Sequence, residues 1–249
     1  IRIFVGLYVV REISRYFDVE LFGVFNFIES YFLIFVAFSF FGMDIILVRL
    51  LQGSKKYEKI IGNGIIVLSI ASVFFILFSF TISQFLVSEQ SLPYTFIVTL
   101  GLFFSPLIAF ESFYISLNQI RVTSYFKILT FLIKSVLILF FINRKLDFEF
   151  FIYLIILEHA LSGLLIFLFF KFQKFQISFK LDNKLINEIL IPSFYVLIYS
   201  IGALIFIRID LFMIEIYLSN FEMGIYTASF KILSFFYFIP NIIAQTLYP

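Results

Sequence analysis

Apolar residues in this chain do not alternate with polar ones. They come in long runs parted by short polar punctuation. Eight runs stand out, at about 1–12, 24–48, 62–87, 93–117, 124–142, 148–170, 189–218 and 223–248. A helix rises about 1.5 Å per residue, so roughly 20 apolar residues cross a hydrocarbon core about 30 Å thick. All the runs but the first reach that length. A transmembrane barrel would instead alternate apolar and polar over about ten residues per strand. "VFFILFSF" and "ILFFI" do not alternate, so the pattern predicts an all-α polytopic membrane protein. The first run is too short to cross, and the chain opens without Met; the expectation is that part of this helix lies upstream. The seventh run must bend, tilt or protrude. Pro106, Pro192 and Pro240 are candidate kinks, because proline removes a backbone donor and clashes with the preceding turn.

The punctuation carries an orientation. Loops after runs 2, 4 and 6 hold ten cations: Arg49, Lys55, Lys56, Lys59, Arg121, Lys127, Lys171, Lys174, Lys180 and Lys184. Loops after runs 1, 3, 5 and 7 hold four: Arg11, Arg15, Arg144 and Lys145. Basic loops stay on the cytoplasmic side. The N-terminus is therefore expected in the cytoplasm too. The longest loop, "KFQKFQISFKLDNKLINEILIPS", is basic. It is expected to lie amphipathically on the inner surface and to link two halves.

An internal echo supports two halves. "RYFDVELFGVFNF" (15–27) and "IYLSNFEMGIYTA" (216–228) align at an offset of 201, pairing Tyr16 with Tyr217 and Gly23 with Gly224. Both stretches open an inward-going helix. Six helices separate them, an even number, so the repeats are parallel and related by an axis along the membrane normal.

Composition agrees with the pattern. Hydrophobic residues make up 62% and charged residues 14%, and the mean hydropathy is +1.09, against roughly 45–50% apolar and about 25% charged in soluble domains. The net charge of +2 gives no reason to expect nucleic acid. With no Cys and one His, disulfides and conventional zinc sites are excluded, and no metal or cofactor is expected. Phe is abundant, at 41, and Trp absent, so Tyr must supply any aromatic belt. "GNG" at 62–64 lacks the spacing and the lysine of a phosphate loop, and "EH" at 158–159 is not a metalloprotease motif. No catalytic pattern emerges, and an enzyme is not expected.

Two stretches carry a family resemblance. "REISRYFDVELFGVFNF" with "GMDIILVRLL" (11–51) resembles the opening of polysaccharide flippases, in which a short turn and a Phe-Gly lead into helix two. That helix ends in a Gly-Met-Asp…Arg pattern. "RIDLFMIEIYLSNFEMGIYTASFKI", followed by "IP" and "LYP" (208–249), resembles their seventh and eighth helices. The turn "YFDVE" lacks the glycine usual there. The family is that of the O-antigen and teichoic-acid exporters (Wzx-type) in the multidrug/oligosaccharidyl-lipid/polysaccharide (MOP) superfamily. The resemblance implies a MATE-like MOP fold of two six-helix lobes around a central cavity. This chain would supply a first lobe (1–172), a cytoplasmic linker (173–188) and the first two helices of the second lobe (189–249). It further implies a flippase of the bacterial inner membrane. Such a protein carries an undecaprenyl-pyrophosphate-linked oligosaccharide between leaflets by alternating access, in contact with membrane lipids and alongside a polysaccharide polymerase and glycosyltransferases.

Charges inside the runs need a reason. One at the centre of a membrane helix costs about 2.5–3.5 kcal/mol on insertion scales. From helix rise, Arg208 lies roughly 15 Å below the outer surface, Lys231 about 12 Å, and Arg2 at a similar depth. Three cations at one level repel unless an anion sits among them. Glu29 and Asp210 are near in depth, and so is the place a lipid pyrophosphate would take. Arg2, Arg208 and Lys231 are thus candidates for a cationic substrate cavity, with Glu29 and Asp210 as cavity or coupling carboxylates. The alternative is that all are paired contacts between lobes. Arg208 and Asp210 stand about 200° apart round a helix and must have different neighbours. Lys134, Glu158 and His159 form a second set, either an ion pair that fixes packing or a proton- or sodium-coupling site. Two further readings stay open: a drug/cation antiporter of the MATE type, whose cavity should be acidic, and a membrane-embedded polysaccharide polymerase or acyltransferase, the former expected to show a large outer loop.

Overall fold

The structure is a computed structural model in which residues 2–236 are described. Pro240 and the end of the eighth run lie outside them. The chain winds through α1 (Arg2–Tyr16), α2 (Val19–Ser39), α3 (Met43–Leu51), α4 (Tyr57–Leu86) and α5 (Leu92–Thr99). A 3-10 stretch follows (Leu100–Leu107), then α6 (Ile108–Ser116), α7 (Ile120–Arg144), α8 (Phe148–Phe172), α9 (Asn183–Tyr217) and α10 (Asn220–Phe236). Among the described residues there is no strand, and six stretches are long and apolar enough to cross a membrane. The protein is an all-α polytopic membrane protein.

Two runs that read as single helices are broken. The run 24–48 divides at Phe41 and Gly42, whose φ angles are 53° and 71°. Glycine suits this left-handed backbone. It also lets α9 approach, since a Cβ on Gly42 would stand 2.6 Å from the Ser193 carbonyl oxygen. The run 93–117 tightens to 3-10 winding at its centre, around Pro106. Proline supplies no N–H for a regular α-turn there. The seventh run forms α9, 35 residues with Pro192 inside and no break. At about 52 Å it overshoots the hydrocarbon core. The turn before α2 manages without glycine, because Asp18 caps the helix by accepting from the Leu21 N–H.

Apolar packing forms two clusters. One is built around Val24, Phe27, Tyr31 and Phe151. The other is built around Met43, Leu47, Ile61, Phe110 and Phe170 at the Lys-rich end. Hydroxyls tie the helices between them: Tyr31 and Ser79 share a bond of 2.7 Å, Ser79 and Thr99 one of 2.8 Å, and Ser39 donates to Ser105 at 2.6 Å. Such bonds suit a bundle in lipid, where apolar contact alone gives helices little reason to associate. Ile70, Phe74, Leu77 and Phe206 point outward, as lipid-facing residues do.

The connection before α9 is not an amphipathic surface helix. Residues 175–182 run extended along the start of α4. Ser178 N–H donates to the Glu58 carbonyl. The buried Asn63 donates to the Lys180 carbonyl and accepts from the Asp182 N–H, each at 3.1 Å. A Cβ on Gly62 would collide with Ser178. "GNG" is therefore a docking strip for backbone, and Asn63 satisfies two of the strap's backbone groups, the Lys180 carbonyl and the Asp182 N–H.

Candidate functional site

α10 packs chiefly on α2, and the contact centres on the two glycines of the internal echo. A Cβ on Gly23 would stand 2.6 Å from Gly224 N, and one on Gly224 would collide with Val19. Equivalent surfaces thus meet each other, as in a twofold interface. The crossing fixes which side chains converge one to two turns further in: Asn26, Glu29 and Ser30 from α2, and Thr227, Phe230 and Lys231 from α10. At the offset of 201 these are matched pairs, Asn26 with Thr227, Glu29 with Phe230 and Ser30 with Lys231. Together with Arg208 from α9 they line a cavity of about 160 Å³.

The charges form an alternating row. Lys231 Nζ lies 3.7 Å from Glu29 Oε2, and Glu29 Oε1 lies 3.2 Å from Lys134 Nζ. Lys134 also donates to Glu158 Oε2 at 2.9 Å, and Glu158 Oε1 lies 3.6 Å from an Arg2 nitrogen. Lys134 is the enclosed member, its side chain 11% exposed against 56% for Arg2. The row brings together α10, α2, α7, α8 and α1. In a low-dielectric bundle alternation makes five charges tolerable where five isolated ones would not be.

Arg208 stands beside the row. Its guanidinium donates to Ser30 Oγ at 3.4 Å and lies 5.6 Å from the Phe230 ring centre. Among the described residues no carboxylate comes within 4.0 Å of it. Asp210 faces elsewhere, as the 200° separation requires. It accepts from the Tyr226 hydroxyl and the Leu211 N–H. Of the three cations matched by depth, the structure therefore joins Arg208 and Lys231 at one cavity with Glu29. It sets Arg2 at the far end of the row, over Phe131. His159 adjoins Glu158 in sequence but turns away from it, with its ring edge-on to Phe32 at 5.5 Å and its buried Nε2 finding no hydrogen-bond partner among the described residues.

A second cavity, of about 100 Å³, lies between α1, α2 and α7. It shares Glu29 and Lys231 with the first and adds Lys134. The Glu29–Lys231 pair is thus the partition between two hollows. A third hollow, about 300 Å³, sits beside the strap at the Lys-rich end and mixes Lys56, Lys59 and Lys184 with Asp182 and Glu188. The uncharged cavity residues Asn26, Ser30 and Thr227 gave no sign by charge. Extending the echo three residues past Phe27 would have pointed to Ser30 opposite Lys231.

Residues 5–249 match the family described as "Polysaccharide biosynthesis protein". The chain belongs to this family. It is the family of the Wzx-type polysaccharide flippases of the MOP superfamily, whose members are transporters. No curated protein and no solved structure matches the chain. Family membership and the membrane-crossing helices together make this a multi-pass membrane protein of polysaccharide biosynthesis.

Proposed function

We propose that this protein moves a polyprenyl-pyrophosphate-linked oligosaccharide from the cytoplasmic to the periplasmic leaflet of a bacterial inner membrane by alternating access of two lobes. The observation that carries this reading is the cavity where α2 meets α9 and α10. Arg208 and Lys231 line it with one carboxylate, Glu29, so it is cationic. Arginine binds phosphate oxygens bidentately, and lysine adds a compact positive charge. In a dry surrounding both hold a diphosphate far more firmly than they would in water.

The size of the cavity limits what it holds. About 160 Å³ lies below the roughly 300–1,000 Å³ of ordinary ligand pockets. It suits the charged headgroup, while the polyprenyl tail stays in lipid and the glycan fills the space that opens when the lobes part. A MATE-type antiporter of organic cations would need the opposite sign of charge here. A polymerase would call for a large outer loop, whereas the outer turns at 17–18, 87–91, 145–147 and 218–219 are all short.

The test is complementation of a strain lacking its own flippase. Arg208→Ala and Lys231→Ala, present in the membrane at parental levels, are each expected to lower surface glycan at least about tenfold, the loss of one charge-assisted contact being worth some 1.5–3 kcal/mol. Full restoration by both variants sinks the cationic-cavity reading.

A further inference from the structure

Glu29 occupies an unusual place. Its two oxygens serve different neighbours: Oε1 is hydrogen-bonded to Lys134 on α7, and Oε2 faces Lys231 on α10 at the longer distance of 3.7 Å. Among the described residues it is the one acidic side chain lining either of the two inner hollows. We propose that Glu29 is a built-in counter-anion that competes with the diphosphate of the substrate for Lys231, an inference that rests on the function proposed above.

The asymmetry of its partners makes the exchange workable. Lys134 and Glu158 belong, with Glu29, to α1–α8, whereas Lys231 and Arg208 belong to α9 and α10. When an anion enters and takes Lys231, Glu29 keeps Lys134, so no carboxylate is stranded in hydrocarbon. Lys134 in turn stays held by Glu158 at 2.9 Å. Without an anion, the cations of α9 and α10 would face each other uncompensated in a hollow of low dielectric, which is costly. Glu29 removes that cost in the empty protein. It also ties α10 to α2 through an ion pair, and substrate entry cuts this tie. Binding the headgroup would then loosen the very contact that must give way for the cavity to change sides.

A competitor inside the site lowers apparent affinity by the fraction of time the site is taken. If Glu29 closes on Lys231 about nine-tenths of the time, removing its charge lowers Kd about tenfold. The experiment titrates the intact detergent-solubilised protein with inorganic pyrophosphate at low salt, by calorimetry. Glu29→Gln is expected to bind about tenfold more tightly than the parent. In proteoliposomes it should flip a fluorescent polyprenyl pyrophosphate more slowly, since the ligand no longer has to be traded back. Glu29→Asp, whose shorter side chain draws back from Lys231, is expected to fall between the two, and stands in if Glu29→Gln does not hold its fold. Arg208→Ala is the reference and should bind more weakly. No gain in affinity from Glu29→Gln or Glu29→Asp, with Arg208→Ala still weakened, overturns the competitor and leaves the proposed function standing. Equal binding by the parent and Arg208→Ala overturns both.

Discussion

Lys134 shows at the scale of one residue what the charge row requires. Its side chain is almost enclosed and touches two carboxylates on two other helices. Lys134→Met would leave Glu29 and Glu158 facing one another with only the outer cations Lys231 and Arg2 as partners. Breaking a buried ion pair from one side costs about 3–5 kcal/mol. Glu158→Gln should cost clearly less, because Lys134 then retains Glu29. Thermal unfolding in detergent compares the two, and equal losses would refute the ordering. Part of this arrangement was legible in the sequence. Depth along each helix put Lys134 level with Glu158, and Lys231 level with Glu29 and Arg208. The 100° step per residue separated Arg208 from Asp210. Depth carries no information on direction round the bundle, and so Arg2 could not be told from Arg208. The structure sets Arg2 against Glu158, across Lys134 from the larger of the two hollows.

Among elements, hydropathy located the six long apolar stretches found among the described residues but not their internal breaks. A run such as 24–48 is apolar throughout, and nothing in apolarity reveals that Phe41 and Gly42 take left-handed backbone. The strap over α4 was equally hidden. "GNG", which the sequence excludes as a phosphate loop, has no visible role until Asn63 is seen to bridge Lys180 and Asp182. Asn63→Ala would remove both bonds and leave two backbone groups of the strap without their partner, at about 1–3 kcal/mol for each one that water does not reach. The expected outcome is several-fold faster tryptic cleavage after Lys180 and Lys184 in the folded protein. A cleavage rate matching the parent's would show that the strap is held by its apolar contacts, Phe175 and Ile177, instead.

Across the whole molecule, the end away from the Lys-rich loops is fastened where α9 and α10 meet α2 and the α4–α5 turn. Besides the glycine crossing of α2 and α10, Ser88 donates to the buried Glu215 through its N–H and its hydroxyl, at 3.1 and 2.7 Å. Asn220 donates to Gln90 at 2.6 Å. A transporter that opens outward must separate these contacts. The chain contains no cysteine, so a single engineered pair reports cleanly. Gln90→Cys combined with Asn220→Cys is expected to stop glycan export when oxidised and to restore it when reduced. Undiminished export by the cross-linked protein would mean that the outer ends need not part.

The unbroken course of α9 has a mechanical consequence. Its close passage over the α2–α3 break falls at Ser193, not at its midpoint. Ten residues lie on one side of Ser193 and twenty-four on the other, giving arms of roughly 15 and 36 Å. A stiff rod pivoting there works as an unequal lever: each ångström moved at the strap becomes more than two at the far tip, where Glu215 meets Ser88.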